Sequence, residues 1–103
     1  MSDPMRIRAV RNKDMVEIKL MIKHPMESGL RRDMSGKRVP ANFIETLVVR
    51  CKDKVVLDAY LGMAVSENPF ITFNFEGGQV GDVIEVTWTD NLHESRTDTA
   101  QIA

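Results

Sequence analysis

The side chains here whose types suit catalysis or metal binding are His24, His93 and Cys51, with the carboxylates Glu27, Asp33 and Glu94. As metal donors they make a poor set. A transition-metal site usually gathers at least three imidazole, thiolate or carboxylate ligands, often at short spacings. These histidines stand far apart in the chain, and the one thiol lies between them. A nucleophilic triad of Cys51, His24 and an aspartate can be written down, as it can for most chains of this length. A reactive cysteine needs an electropositive, partly open setting. Arg50, Lys52 and Lys54 supply the charge, but strand parity turns Cys51 inward, so a packing thiol is expected. Glu27 and Asp33 do not form an acid–base pair. Gly77-Gly78 precedes a strand rather than a helix, which excludes a phosphate loop and leaves a hairpin turn. The expectation is a protein without catalytic residues, metal or cofactor.

What stands out instead is the connection His24–Ala41, several times longer than the usual ~4–6 residues between elements. It interleaves Met26, Leu30, Met34 and Val39 with Arg31, Arg32, Lys37 and Arg38, so it is neither a polar linker nor a core segment. It reads as a structured surface feature built to touch something.

The flanking segments are strand-like. Met15–Lys23 places Val16, Ile18, Leu20 and Ile22 on one face and Glu17, Lys19, Met21 and Lys23 on the other, a period of two with β-branched residues inside. Met5–Val10 alternates basic and apolar residues and reads as an edge strand whose arginines discourage edge-to-edge pairing. Asn42–Cys51 sets Phe43, Leu47 and Val49 on one face and Ile44 and Val48 on the other, so both faces want cover. Lys52-Asp53-Lys54 turns the chain into Val55–Tyr60, and Leu61–Ser66 is a crossing connection. Asn68-Pro69 heads a strand bearing Ile71, Phe73 and Phe75 on one side, since proline is tolerated at a strand's start. Val83–Thr89 turns Ile84, Val86 and Trp88 inward, and Glu94–Ile102 is a last, polar strand. About seven strands, no helix and regular turns predict one all-β domain over residues 1–103. Its expected form is an immunoglobulin-like antiparallel β-sandwich with Trp88 between the sheets.

Composition narrows the function further. The 103 residues carry 14 basic and 15 acidic side chains, a formal charge of −1, which does not suit nucleic-acid binding. No run is long and apolar enough to span a membrane, and the first residues lack the apolar stretch of a signal peptide. One cysteine permits no internal disulfide. Seven methionines are many for this length; Met15, Met21, Met26, Met34 and Met63 sit at strand edges or in connections, where flexible thioethers suit contact surfaces. Protein–protein interaction is the class that remains.

Three blocks carry a family resemblance. His24-Pro-Met-Glu-Ser-Gly-Leu-Arg-Arg-Asp33 with Pro40-Ala-Asn-Phe-Ile44, then Asn68-Pro-Phe-Ile-Thr-Phe73, then Gly81-Asp-Val-Ile-Glu-Val-Thr-Trp-Thr-Asp-Asn91 resemble the SoxZ family of the bacterial sulfur-oxidation carrier complex, over nearly the whole chain. The resemblance implies an immunoglobulin-like sandwich in a heterodimer with a SoxY-type subunit. That partner holds thiosulfate-derived sulfur on a cysteine in a flexible, glycine-flanked carboxy-terminal arm, and the pair visits other Sox enzymes transiently in the periplasm. The present sequence closes on Asp98-Thr-Ala-Gln-Ile-Ala103 without such an arm, so the expected role is scaffold rather than sulfur bearer, and Cys51 takes no carrier role. Export is expected to rely on the partner's twin-arginine signal. The expected partner surface combines the long loop with the outer face of the strand after it. Met26 and Leu30 are apolar contacts there, Arg31 and Arg32 are cations facing an anionic thiosulfonate or an acidic enzyme, and Phe43, Ile44 and Val48 lie on the two-faced strand. Two other readings stay open: a small metal-binding redox sandwich similar to superoxide reductase, and a structural or adhesive sandwich module.

Overall fold

Strands form wherever the sequence alternates. The computed structural model describes residues 3–103 and contains β1 (Arg6–Asn12), β2 (Met15–Met21), β3 (Ile44–Cys51), β4 (Lys54–Tyr60), β5 (Phe70–Glu76), β6 (Val83–Asp90) and β7 (Ser95–Gln101). No helix occurs among the described residues. The strands make two antiparallel sheets, one ordered β1-β2-β5 and the other β4-β3-β6-β7. This is the immunoglobulin-like sandwich, with the fourth strand beside β3 rather than on the sheet of β1 and β2 as in constant-type domains.

The core is the product of that alternation. Val16, Ile18, Leu20 and Ile22 from one sheet meet Leu47, Val49, Ile84, Val86 and Trp88 from the other, all essentially without solvent exposure. Burying each such side chain contributes roughly 1.5–3 kcal/mol. Ile102 closes the β1–β7 side, where Arg11 N–H donates to Ala103 O at 2.9 Å and Ala103 N–H to Ala9 O at 2.8 Å.

Sequence parity fails at one place. Ile44 was expected on the outer face of its strand but is fully buried in the core. The reason is a β-bulge: Ile44 opposes Asp90 and Thr46 opposes Thr89, which leaves Glu45 as an extra residue. The extra residue flips the alternation, so Ile44 and Leu47 both point inward although three positions separate them. Residues 42 and 43 also lie outside the strand, which begins at Ile44.

The long connection is a finger folded back on itself. At its base Glu27 and Asn42 exchange backbone hydrogen bonds of 2.6 and 2.9 Å. Farther out Val39 N–H donates to Arg31 O and Asp33 N–H to Lys37 O, both at 2.8 Å. Asp33 holds the tip. Its Oδ1 accepts from Ser35 N–H at 2.9 Å, Ser35 Oγ at 2.7 Å and Lys37 N–H at 3.0 Å. Gly36, at φ 85°, supplies the left-handed residue that lets the tip turn.

Candidate functional site

Three connections meet at one end of the sandwich: the finger after β2, the crossing from β4 to β5, and the turn from β6 to β7. Immunoglobulin-like domains carry their variable, ligand-contacting loops in such clusters. Here the three are fastened by His24, which the sequence presented only as a poor metal ligand.

His24 is 5% exposed and Asp90 2%. The Met26 N–H donates to His24 Nδ1 at 3.1 Å, so Nδ1 is the acceptor nitrogen and Nε2 carries the proton. That Nε2–H donates to Asp90 Oδ2 at 3.1 Å. The other carboxylate oxygen accepts from Leu92 N–H at 3.0 Å and Glu94 N–H at 2.8 Å, which shapes the β6–β7 turn. The imidazole meets Trp88 edge to face, with centroids 5.1 Å apart at 84°. On the third side, His24 N–H donates to Asn68 Oδ1, and Asn68 N–H donates back to His24 O, each at 3.0 Å. Asn91 completes the fastening by accepting from Phe43 N–H at 2.8 Å and donating Nδ2–H to Ala41 O at 3.0 Å.

Chemically, this network is a clasp. An aspartate–histidine hydrogen bond resembles two thirds of a nucleophilic triad, but the nitrogen that would take a nucleophile's proton is occupied by a backbone N–H. Cys51 is at the far end of β3, about 23 Å from Ile44 at ~3.3 Å per residue. It is buried, and desolvation pushes its thiol above the ordinary range, with Asp82 adding to the rise and Lys52 opposing it. The flanking cations therefore do not activate it. Among the described residues, no three His, Cys, Asp or Glu side chains gather as metal donors.

The expected contact residues separate into two groups. Met26, Phe43 and Ile44 belong to this chain's own core, at 6%, 9% and 0% exposure. Met26 presents its sulfur to Ile44 N–H at 3.4 Å and so supports the finger from beneath. Leu30, Arg31 and Arg32 face solvent, and Val48 is half-buried on the outer sheet face between Asp58 and Thr87. Arg31 pairs with Glu27 at 2.8 Å, and Arg32 donates to Gly36 O at 2.9 Å. The Glu27 hydrogen bond raises the Arg31 guanidinium above its ordinary range. Met21, Leu30, Met34, Tyr60, Met63, Phe70 and Leu92 are exposed apolar residues on or beside these connections. Sequence reasoning missed the roles of Asn68, Asp90 and Asn91, reading Asn68 as the head of a strand and Asp90-Asn91 as a turn; their place at strand ends was the only available signal.

Comparison with protein families gives one result. The family model described as sulphur oxidation protein SoxZ matches residues 5–101, nearly the whole chain. A comparison with curated proteins gave no match.

Proposed function

The chain belongs to the SoxZ family, whose members are Sox-complex subunits acting in sulfur oxidation, and from that premise we propose that it is the scaffold half of a thiosulfate-oxidation carrier. It binds a SoxY-type subunit, orients that subunit's cysteine-bearing arm, and helps present the arm to Sox enzymes in the periplasm. It does no chemistry of its own.

The family match carries this reading, and the geometry agrees with it. The groups best suited to chemistry are spent on structure: His24 in the clasp and Cys51 in the core. The groups best suited to contact are outside: Leu30 at 73% exposure, Met34 at the finger tip, and the arginines beside them. Met26, Phe43 and Ile44 hold that surface in place from within, while Leu30, Arg31, Arg32 and Val48 meet partners.

The primary test is recovery of the tagged full chain from a sulfur-oxidising extract. A co-purifying protein with a glycine-flanked terminal cysteine is expected. Recovery alone, or with a companion lacking that cysteine, overturns the proposal. The docking role of the cations is tested by Arg31→Glu with Arg32→Glu in reconstituted thiosulfate turnover. The double reversal is expected to slow turnover several-fold at ~0.1 M salt and little at ~1 M, where the Debye length shrinks from ~10 to ~3 Å. Equal turnover at both ionic strengths removes the steering role.

A further inference from the structure

A two-sheet sandwich has four edge strands, here β1, β5, β4 and β7. An unpaired edge is a template for another strand, and proteins that work alone blunt it with charge, bulges, inward-pointing ions or a covering segment. Three of these edges are blunted in such ways. β1 carries Arg6 and Arg8 outward, turns Arg11 toward the interior beside Val16, and is capped by the chain end through the Ala9–Ala103 and Arg11–Ala103 bonds. β7 turns Arg96 and Asp98 toward the interior opposite Trp88 and Val86. In β4 the register shifts between Leu57 and Val55, leaving Val56 as an extra residue, and Lys54 and Asp58 flank the bulge.

Along Phe70–Phe75, β5 has none of these devices; only its last residue, Glu76, is charged. Phe70-Ile-Thr-Phe-Asn-Phe75 is uncharged, contains no proline, and pairs with β2 in unbroken register. No further backbone hydrogen bond reaches Phe70–Glu76 among the described residues. Its core-facing side chains are also incompletely covered. Ile71, Phe73 and Phe75 are half-buried, whereas their cross-strand partners Leu20, Ile18 and Val16 are completely buried. On the outer face, exposed Phe70 sits directly opposite exposed Met21 and extends the apolar surface toward the loop end.

We propose that the β5 edge is where the permanent partner attaches, by adding one of its own extended strands to the β1-β2-β5 sheet. This inference rests on the carrier-scaffold reading and specifies its interface. The added segment is uncharged over about six residues and apolar at alternate positions, matching Ile71, Phe73 and Phe75 on one side and Thr72 and Asn74 on the other. A second copy of this chain fits worse. A two-fold β5–β5 pair runs the two strands antiparallel in one continued sheet, so the Met21–Phe70 surfaces fall at opposite ends of the pair, each still in solvent. One pair of short strands also falls well short of the ~800 Å² per partner of a stable interface. A partner that adds a strand and reaches over Phe70 and Met21 covers both.

The test uses the full chain co-expressed with the cysteine-bearing subunit. Thr72→Lys with Asn74→Lys places charge along the exposed side of β5 without touching the core; Thr99→Lys on β7 is the control. The double variant is expected to weaken the complex more than tenfold, the control to leave it unchanged, and Trp88 fluorescence to show both folded. Hydrogen exchange at Phe70–Glu76 is expected to slow on complex formation. A normal complex with the double variant, with β5 amides exchanging equally in free and bound chain, overturns the edge assignment and leaves the scaffold reading intact. Failure of the unaltered chain to bind the subunit overturns both. Protection of β5 in a homodimer of the chain alone assigns the edge to a second copy and also overturns the inference.

Discussion

Replacing Asp90 with Asn tests the clasp with almost no change of shape. Asp90 accepts three hydrogen bonds, from His24 Nε2, Leu92 N and Glu94 N. An asparagine can keep its carbonyl oxygen toward the two backbone donors, and its NH2 then faces His24 Nε2–H, donor against donor. If the imidazole changes tautomer to accept that NH2, its Nδ1 gains a proton and confronts Met26 N–H instead. Either tautomer leaves one donor unpaired at a site where His24 is 5% exposed. An unmet buried donor costs about 1–3 kcal/mol, and the lost charge-assisted bond was itself worth about 1.5–3 kcal/mol. The turn amides keep their acceptor, so the two terms together come to about 2.5–6 kcal/mol, a large share of the ~5–15 kcal/mol of a typical domain. Urea unfolding followed by Trp88, the only tryptophan, reads this directly. The midpoint should fall with an unchanged slope. Pairing Asp90→Ala with His24→Ala in a double-mutant cycle should give a coupling above about 1 kcal/mol. A loss under about 0.5 kcal/mol for Asp90→Asn would refute the fixed-tautomer argument.

Three further outcomes follow from the packing and the charges. Gly78→Ala places a Cβ 2.8 Å from both Ile102 Cδ1 and Val16 Cγ2, and overpacking of this kind costs about 1–3 kcal/mol in an unfolding titration. Ile44→Ala should destabilise by about 2–5 kcal/mol and Val48→Ala by well under half of that; equal losses would contradict the bulge at Glu45. Asp98 is held below the ordinary carboxylate range, first by Arg96 at 2.8 Å and also by Met5 N–H at 2.9 Å. Because the folded value is depressed, its stabilisation is fully present above the ordinary carboxylate value of about 4 and is lost as the pH falls below it, through the lower folded value. Asp98→Asn should therefore flatten the acid limb of a stability–pH curve, and an unaltered limb would contradict the pairing.

How much of this was legible in the residues depends on the range of the interaction that decides each feature. Strand identity is local, because each side chain in β2 or β6 declares its face by being apolar or polar, and the period of two is sufficient. Ile44 marks where that logic stops. Nothing in Phe43-Ile44-Glu45-Thr46 says that one residue will be extruded; the bulge is settled by which alignment of β3 on β6 buries Ile44 and Leu47 together. The clasp is less legible still. Asp90 is an ordinary turn residue and Asn68 an ordinary strand opener until the fold brings them to His24, across 66 and 44 positions of chain. The β5 edge is the opposite case. Its lack of charge was visible from the start in Phe-Ile-Thr-Phe-Asn-Phe, but it gained meaning only once topology made that strand an edge and the other three edges proved to be guarded. A neutral strand in the middle of a sheet needs no explanation, whereas a neutral strand at the border is an open template for another strand. The contrast among the four borders is what supports the proposed attachment at β5.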